Sequence, residues 1–153
     1  MSEKIILLVE DDPDDEELTL RALRKRRVSN EVVVVRDGQE ALDYLFGTGS
    51  HAGRDVNVQP EVVLLDIKLP KINGIDVLKR IRSDERTKLL PVVILTSSAE
   101  EQDLCAAYVN HVNSYVRKPV DFEKFVEAVE QLQIYWLVLN RPPPACIVSG
   151  MGR

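Results

Sequence analysis

Ile5-Ile6-Leu7-Leu8-Val9-Glu10-Asp11-Asp12-Pro13 passes from five consecutive apolar residues to three acids and a proline. The apolar run has the length and branched-residue content of a strand buried on both faces, as strands of parallel sheets are. It stops at Val9, and Pro13, a residue favoured in the first turn of a helix, opens the next element. Similar runs recur at Val32–Val35, Val62–Leu65 and Val92–Leu95, with a weaker one at Ser114–Val116. Helical spacing lies between them: Ala41, Leu42 and Leu45, then Val77, Leu78 and Ile81, then Leu104, Ala107 and Tyr108. A last helix begins at Asp121, a good N-cap, and buries Phe122, Phe125, Val126, Val129 and Leu132. The first helix starts with acids and ends with Arg24, Lys25, Arg26 and Arg27, both signs suiting the helix dipole. Five β-then-α units in succession predict one parallel sheet with helices on both faces, an α/β doubly wound sandwich.

The rest of the composition fits that reading. A chain of 153 residues, 44% hydrophobic and 29% charged, is long enough for one packed domain and too apolar for a disordered one. The apolar runs Ile5–Val9 and Ile134–Leu139 are too short to span a bilayer, and Met1-Ser2-Glu3-Lys4 lacks the apolar core of a signal peptide. Two cysteines, Cys105 and Cys146, make no disulfide framework, and no Cys/His cluster has zinc spacing. A cytoplasmic protein without membrane contact is expected. The organisation expected is a domain over residues 1–140 and a Pro-rich tail over 141–153, with a long surface loop at Gly47–Pro60. Net charge is −5, yet residues 10–17 alone hold seven acids; twenty basic against eighteen remaining acidic side chains leave the rest at +2. Without a basic footprint a nucleic-acid partner is not expected.

Ligands of open α/β sheets sit beyond the carboxyl ends of the strands. There the sequence places Glu10, Asp11 and Asp12 after the first strand and Asp66 after the third. Thr96 and Ser97 follow the fourth, and Lys118-Pro119 the fifth. Carboxylates so gathered repel unless a cation sits among them, and oxygen-only ligation favours Mg²⁺ or its substitute Mn²⁺. A metal, a nucleophilic carboxylate and an ammonium group suit phosphoryl transfer through an aspartyl phosphate.

The segments Ile6-Leu7-Leu8-Val9-Glu10-Asp11-Asp12-Pro13, Leu64-Leu65-Asp66-Ile67-Lys68-Leu69-Pro70 with Asn73-Gly74, Ile94-Leu95-Thr96-Ser97 and Tyr115-Val116-Arg117-Lys118-Pro119 resemble the response-regulator receiver domain of two-component signalling. The resemblance covers residues 4–139, with the four motifs in the family's order. It implies a flavodoxin-like (βα)5 fold of strand order 2-1-3-4-5. It also implies that Asp66 accepts a phosphoryl group from the phosphohistidine of a sensor histidine kinase. Asp11 would then ligate Mg²⁺ directly and Glu10 through water, joined by Asp66 and the backbone carbonyl of Lys68. A shift by one residue would make Asp11 and Asp12 the acidic pair instead. Lys118 would neutralise phosphoryl oxygens, Thr96 would bond the attached group, and Tyr115 would turn inward with it.

Plainer readings stand beside these. Asp14, Asp15, Glu16 and Glu17 serve as ordinary dipole partners, Thr96 is a fit cap for the fourth helix, and Tyr115 a fit core residue. His51 and His111 carry no functional argument. A haloacid-dehalogenase-type phosphatase would need Asp at position 68, where this chain has Lys, and a flavodoxin would need a phosphate loop where this chain has acids. The remaining alternative is a receiver-like interaction scaffold that is never phosphorylated. The acidic start, the long loop and the apolar Ile134–Leu139 segment resemble stand-alone regulators paired with bacteriophytochrome-like sensor kinases. Output would then run through protein contact or onward transfer to a histidine phosphotransfer protein. An apolar surplus on the fifth helix predicts a homodimer through the fourth helix, fifth strand and fifth helix.

Overall fold

The computed structural model describes residues 5–25, 31–96 and 114–117, the backbone alone at 22, 25, 95, 96 and 114–117. Chain order is β1 (Ile5–Val9), α1 (Pro13–Lys25), β2 (Glu31–Val35), α2 (Gly38–Phe46), β3 (Val62–Leu65), α3 (Gly74–Ser83), β4 (Val92–Thr96) and β5 (Ser114–Arg117). The strands form one parallel sheet in the order β2-β1-β3-β4-β5. This is the flavodoxin-like order, so the expected fold class holds. The fourth and fifth helices, the dimer surface built on them, Lys118 and the 141–153 tail lie outside the described residues.

The period-two alternation of strands divides the core into two layers. Leu7, Val9, Val63, Leu65, Val92 and Ile94 face α2 and α3 and pack with Leu45, Leu78 and Ile81. Ile6, Leu8, Val62, Leu64 and Val93 face the other way, against Leu23 of α1. Asp37 caps α2, its side chain accepting the Glu40 N–H at 2.7 Å, and Asn73 caps α3, accepting from Asp76 N–H at 3.0 Å.

The 47–60 segment is a loop, as expected, but a pinned one. Gly47 ends α2 at φ +66, and a short 3-10 turn follows at Gly49–His51. Arg54 then lies over the Tyr44 ring, 4.0 Å from its centre, while its guanidinium donates to the carbonyls of Tyr44, Leu45, Asp55 and Val58. Asp43 accepts from Gln39 and Thr48 side chains at 3.0 and 2.9 Å, bonds that hold its carboxyl below the usual range despite burial. Arg54 thus ties two carbonyls at the end of α2 to two within the 14-residue excursion.

Candidate functional site

Register alone brings the acids together. Val9 pairs with Leu65 across β1 and β3, so the next residues, Glu10 and Asp66, emerge side by side at the carboxyl edge. Asp66 N–H donates to Val9 O at 3.2 Å and Glu10 N–H to Val35 O at 3.0 Å, extending the ladder one step past the strands. This is the topological switch point: the chain leaves β1 toward β2 and leaves β3 toward β4, opening a crevice between them. Carboxylate oxygens of Glu10, Asp11 and Asp66 all lie within 4.8 Å of one another there. Glu10 and Asp66 are 2% and 8% exposed, which makes mutual charge hard to screen with water. Asp11 is exposed and faces the site from the solvent side of the cluster.

Asp12 has a different task. Its Oδ1 accepts the Asp14 N–H at 2.8 Å and the Asp15 N–H at 3.4 Å, the geometry of an N-cap on α1. Its own N–H donates to Glu10 Oε2 at 3.2 Å, steadying that buried carboxylate. Pro13 at the first helical position already marked residue 12 as the cap, a signal available in the sequence. Glu16 and Glu17 are more than dipole partners: Glu16 meets Arg36 at 2.9 Å, and Glu17 lies 3.5 Å from both Arg21 and Arg24. No local spacing announces the first of these pairs, whose members are twenty residues apart.

The turn after β3 is built for close approach. Asp66 Oδ1 accepts the following Ile67 N–H at 2.7 Å. Gly74 N–H donates to Ile67 O at 2.7 Å, and a Cβ on Gly74 would stand 2.1 Å from Asp66 O. On the other flank Gly38 N–H donates to Pro70 O at 3.2 Å, and a Cβ there would overlap Ile72 O at 1.8 Å. Between these glycines Lys71 takes φ +69, and its ammonium lies 3.7 Å from Asp37. Lys68 is an exposed member of the same turn, two residues beyond Asp66.

Thr96 closes β4 and pairs with Arg117, one register step past the level of Asp66. Tyr115 pairs with Ile94 in β5. The side chains of both, and all of Lys118, fall outside the described residues. Among those described, three carboxylates with oxygen donors alone fit Mg²⁺ or Mn²⁺. No described helix is long and apolar enough to cross a membrane.

The fold and this acidic edge define an open, doubly wound α/β domain with a cluster of oxygen donors at its switch point. The response regulator receiver domain model matches residues 6–130, and the chain belongs to that family of two-component signalling proteins. The probable methanogenesis regulatory protein FilR2 of Methanothrix harundinacea is 45% identical over 91% of this chain and 87% of its own. Response regulator Rcp1 of Synechocystis is 35% identical over 93% of this chain and 95% of its own. Its Mn²⁺-bound structure superimposes with a TM-score of 0.83, at 34% identity over 92% and 99% of the two chains. The phosphorylated cyanobacterial phytochrome response regulator RcpA reaches 0.84, at 38% identity over 94% and 100%. The chain is therefore related to phytochrome response regulators. Receiver domains of this kind bind Mg²⁺ or Mn²⁺ in an acidic pocket and act as phosphoacceptors for sensor histidine kinases rather than as ordinary enzymes.

Proposed function

We propose that this chain is a stand-alone, cytoplasmic response regulator that accepts a phosphoryl group on Asp66 from a phytochrome-like sensor histidine kinase. The observation that carries this reading is the convergence of Glu10, Asp11 and Asp66 at the switch point. In the transfer, an Asp66 carboxylate oxygen forms a bond to phosphorus as the P–N bond to the donor histidine breaks. The imidazole nitrogen leaves with the electron pair. Ile67 N–H holds Oδ1 and so fixes the plane from which the carboxylate attacks. Glu10, Asp11, Asp66 and the Lys68 carbonyl would hold Mg²⁺, which supplies charge neutralisation at the transferring phosphoryl group. Lys118 follows the last residue of β5 and is assigned the second positive charge, with Thr96 and Tyr115 as the switch pair. Regulation passes through protein contact, in a homodimer or by onward transfer to a histidine phosphotransfer protein.

Acetyl phosphate with Mg²⁺ tests the reading directly. The intact chain should gain one phosphoryl group, removed by hydroxylamine as an acyl phosphate is, whereas a scaffold that is never phosphorylated gains none. The metal ligands are separable by calorimetry. Asp11→Ala should weaken Mg²⁺ binding at least about tenfold, as loss of a direct charged ligand does, while Asp12→Ala chiefly costs helix stability of about 1 kcal/mol. Equal losses of affinity would return the acidic pair to Asp11 and Asp12.

A further inference from the structure

The acidic stretch at residues 10–17 poses an electrostatic difficulty for a site that must admit an anion. A divalent cation would offset most of the charge of Glu10, Asp11 and Asp66, but the first turn of α1 adds Asp14, Asp15 and Glu16, with Glu17 behind them. Every uncompensated carboxylate there raises cation affinity and repels a phosphodonor dianion. Glu17 meets arginines of its own helix, Arg21 and Arg24. The partner of Glu16 comes from a different element.

That partner is Arg36, the first residue past β2. Glu10 N–H donates to Val35 O, so Arg36 leaves its strand beside Glu10 at the same edge of the sheet. Its Nη2 lies 3.0 and 2.9 Å from the two Glu16 oxygens, and the Glu16 side chain is only 17% exposed. The Arg36 backbone is held as well, its N–H donating to Glu40 Oε1 at 3.1 Å, and Glu40 Oε2 meets His51 Nε2 at 3.3 Å. The Arg36 side chain is 60% exposed, but its Nη2 is held by both oxygens of the partly buried Glu16 carboxylate and its backbone by Glu40, which keeps the charge one strand from the cation ligands.

We propose that Arg36 acts through Glu16 as a positioning residue that sets the charge of the phosphoryl site. It holds Mg²⁺ affinity down and keeps the crevice open to anionic phosphodonors. This rests on the phosphoacceptor reading of Asp66, and it adds that an arginine from β2 offsets one carboxylate of the acidic start of α1.

The test measures Mg²⁺ affinity of the full chain by calorimetry, and the rate of acetyl-phosphate labelling at saturating Mg²⁺, for Arg36→Gln, Glu16→Gln, the double variant and Arg36→Lys. At low ionic strength Arg36→Gln should bind Mg²⁺ about threefold more tightly and label about threefold more slowly, the scale of one charge acting through solvent. Glu16→Gln should do the reverse by a similar factor. The double variant and Arg36→Lys should return close to the parent, and at 1 M salt, where the screening length is about 3 Å, the differences should vanish. Opposite signs for the two single variants are the signature of charge; a purely structural bridge would shift both in one direction, and that result overturns the proposal. It also falls if both variants match the parent while Asp11→Ala still loses Mg²⁺, an outcome that leaves the reading of Asp66 intact. A parent chain that neither binds Mg²⁺ nor takes the label removes both.

Discussion

Asp66→Asn is expected to abolish hydroxylamine-labile labelling while leaving the fold intact. The substitution is close to isosteric, and an amide oxygen accepts the Ile67 N–H as readily as Oδ1 does at 2.7 Å, so the turn after β3 keeps its anchor. The amide is not a competent nucleophile, and activity should fall by at least about a hundredfold, below ordinary detection. A second readout has the opposite sign. Asp66 is 8% exposed and shares a 4.8 Å cluster with Glu10 and Asp11, so neutralising it relieves like-charge repulsion. Without metal the variant should be more stable than the parent by about 1 kcal/mol, and it should lose most of the stabilisation that Mg²⁺ confers on the parent. Melting curves with and without Mg²⁺ check this beside the labelling assay. Undiminished labelling would move the acceptor elsewhere in the chain.

These two readouts draw on different levels of information, and the sequence supplied them unequally. The strands were legible because Ile5–Val9, Val62–Leu65 and their counterparts are short, continuous and rich in branched residues, a pattern with one economical solution in a parallel sheet. Once the order of strands is set, the positions just past Val9 and Leu65 are neighbours, so Glu10 and Asp66 could be grouped from sequence alone. Three acids in a row leave the ligand pair open in the sequence, although Pro13 points to residue 12 as the helix cap; in the structure Asp12 accepts from the Asp14 and Asp15 N–H groups as that cap. The Glu16–Arg36 pair and the Arg54 clamp on the 47–60 loop were not legible at all. Both depend on where a long flexible side chain ends up after the backbone is placed, and no periodicity encodes that. The two ends of β4 and β5 were slightly underestimated, since pairing of Thr96 with Arg117 carries the ladder one residue past the apolar runs.

The last dependence of site on fold is steric, and it sits at Gly74. In the sequence Gly74 stands only as part of the Asn73-Gly74 motif, whereas the structure shows α3 starting against the backbone of Asp66. A Cβ at residue 74 would lie 2.1 Å from Asp66 O, 2.7 Å from Ile67 Cα and 2.9 Å from the Asp66 carbonyl carbon. All three are main-chain atoms, so no rotamer change can yield; either α3 or the Asp66 turn must move. Gly74→Ala should therefore cost about 3 kcal/mol, lowering the melting temperature by roughly 6–12 °C for a domain of this size. The gain in helix propensity that alanine normally brings, about 1 kcal/mol, is too small to offset it. Gly53→Ala is the matching control: φ is +93 but nothing lies within 4 Å of the added carbon, so only the backbone cost of about 1–2 kcal/mol applies. The two variants should also part in function. Relief of the clash at residue 74 displaces Asp66 from Glu10 and Asp11, so at a temperature where both variants are fully folded, Gly74→Ala should bind Mg²⁺ more weakly and label more slowly. Gly53→Ala, in a loop held by Arg54 away from the acidic edge, should match the parent in both. A Gly74→Ala protein as stable as Gly53→Ala, with unchanged Mg²⁺ affinity, would mean that the approach of α3 to Asp66 is not what positions the acceptor.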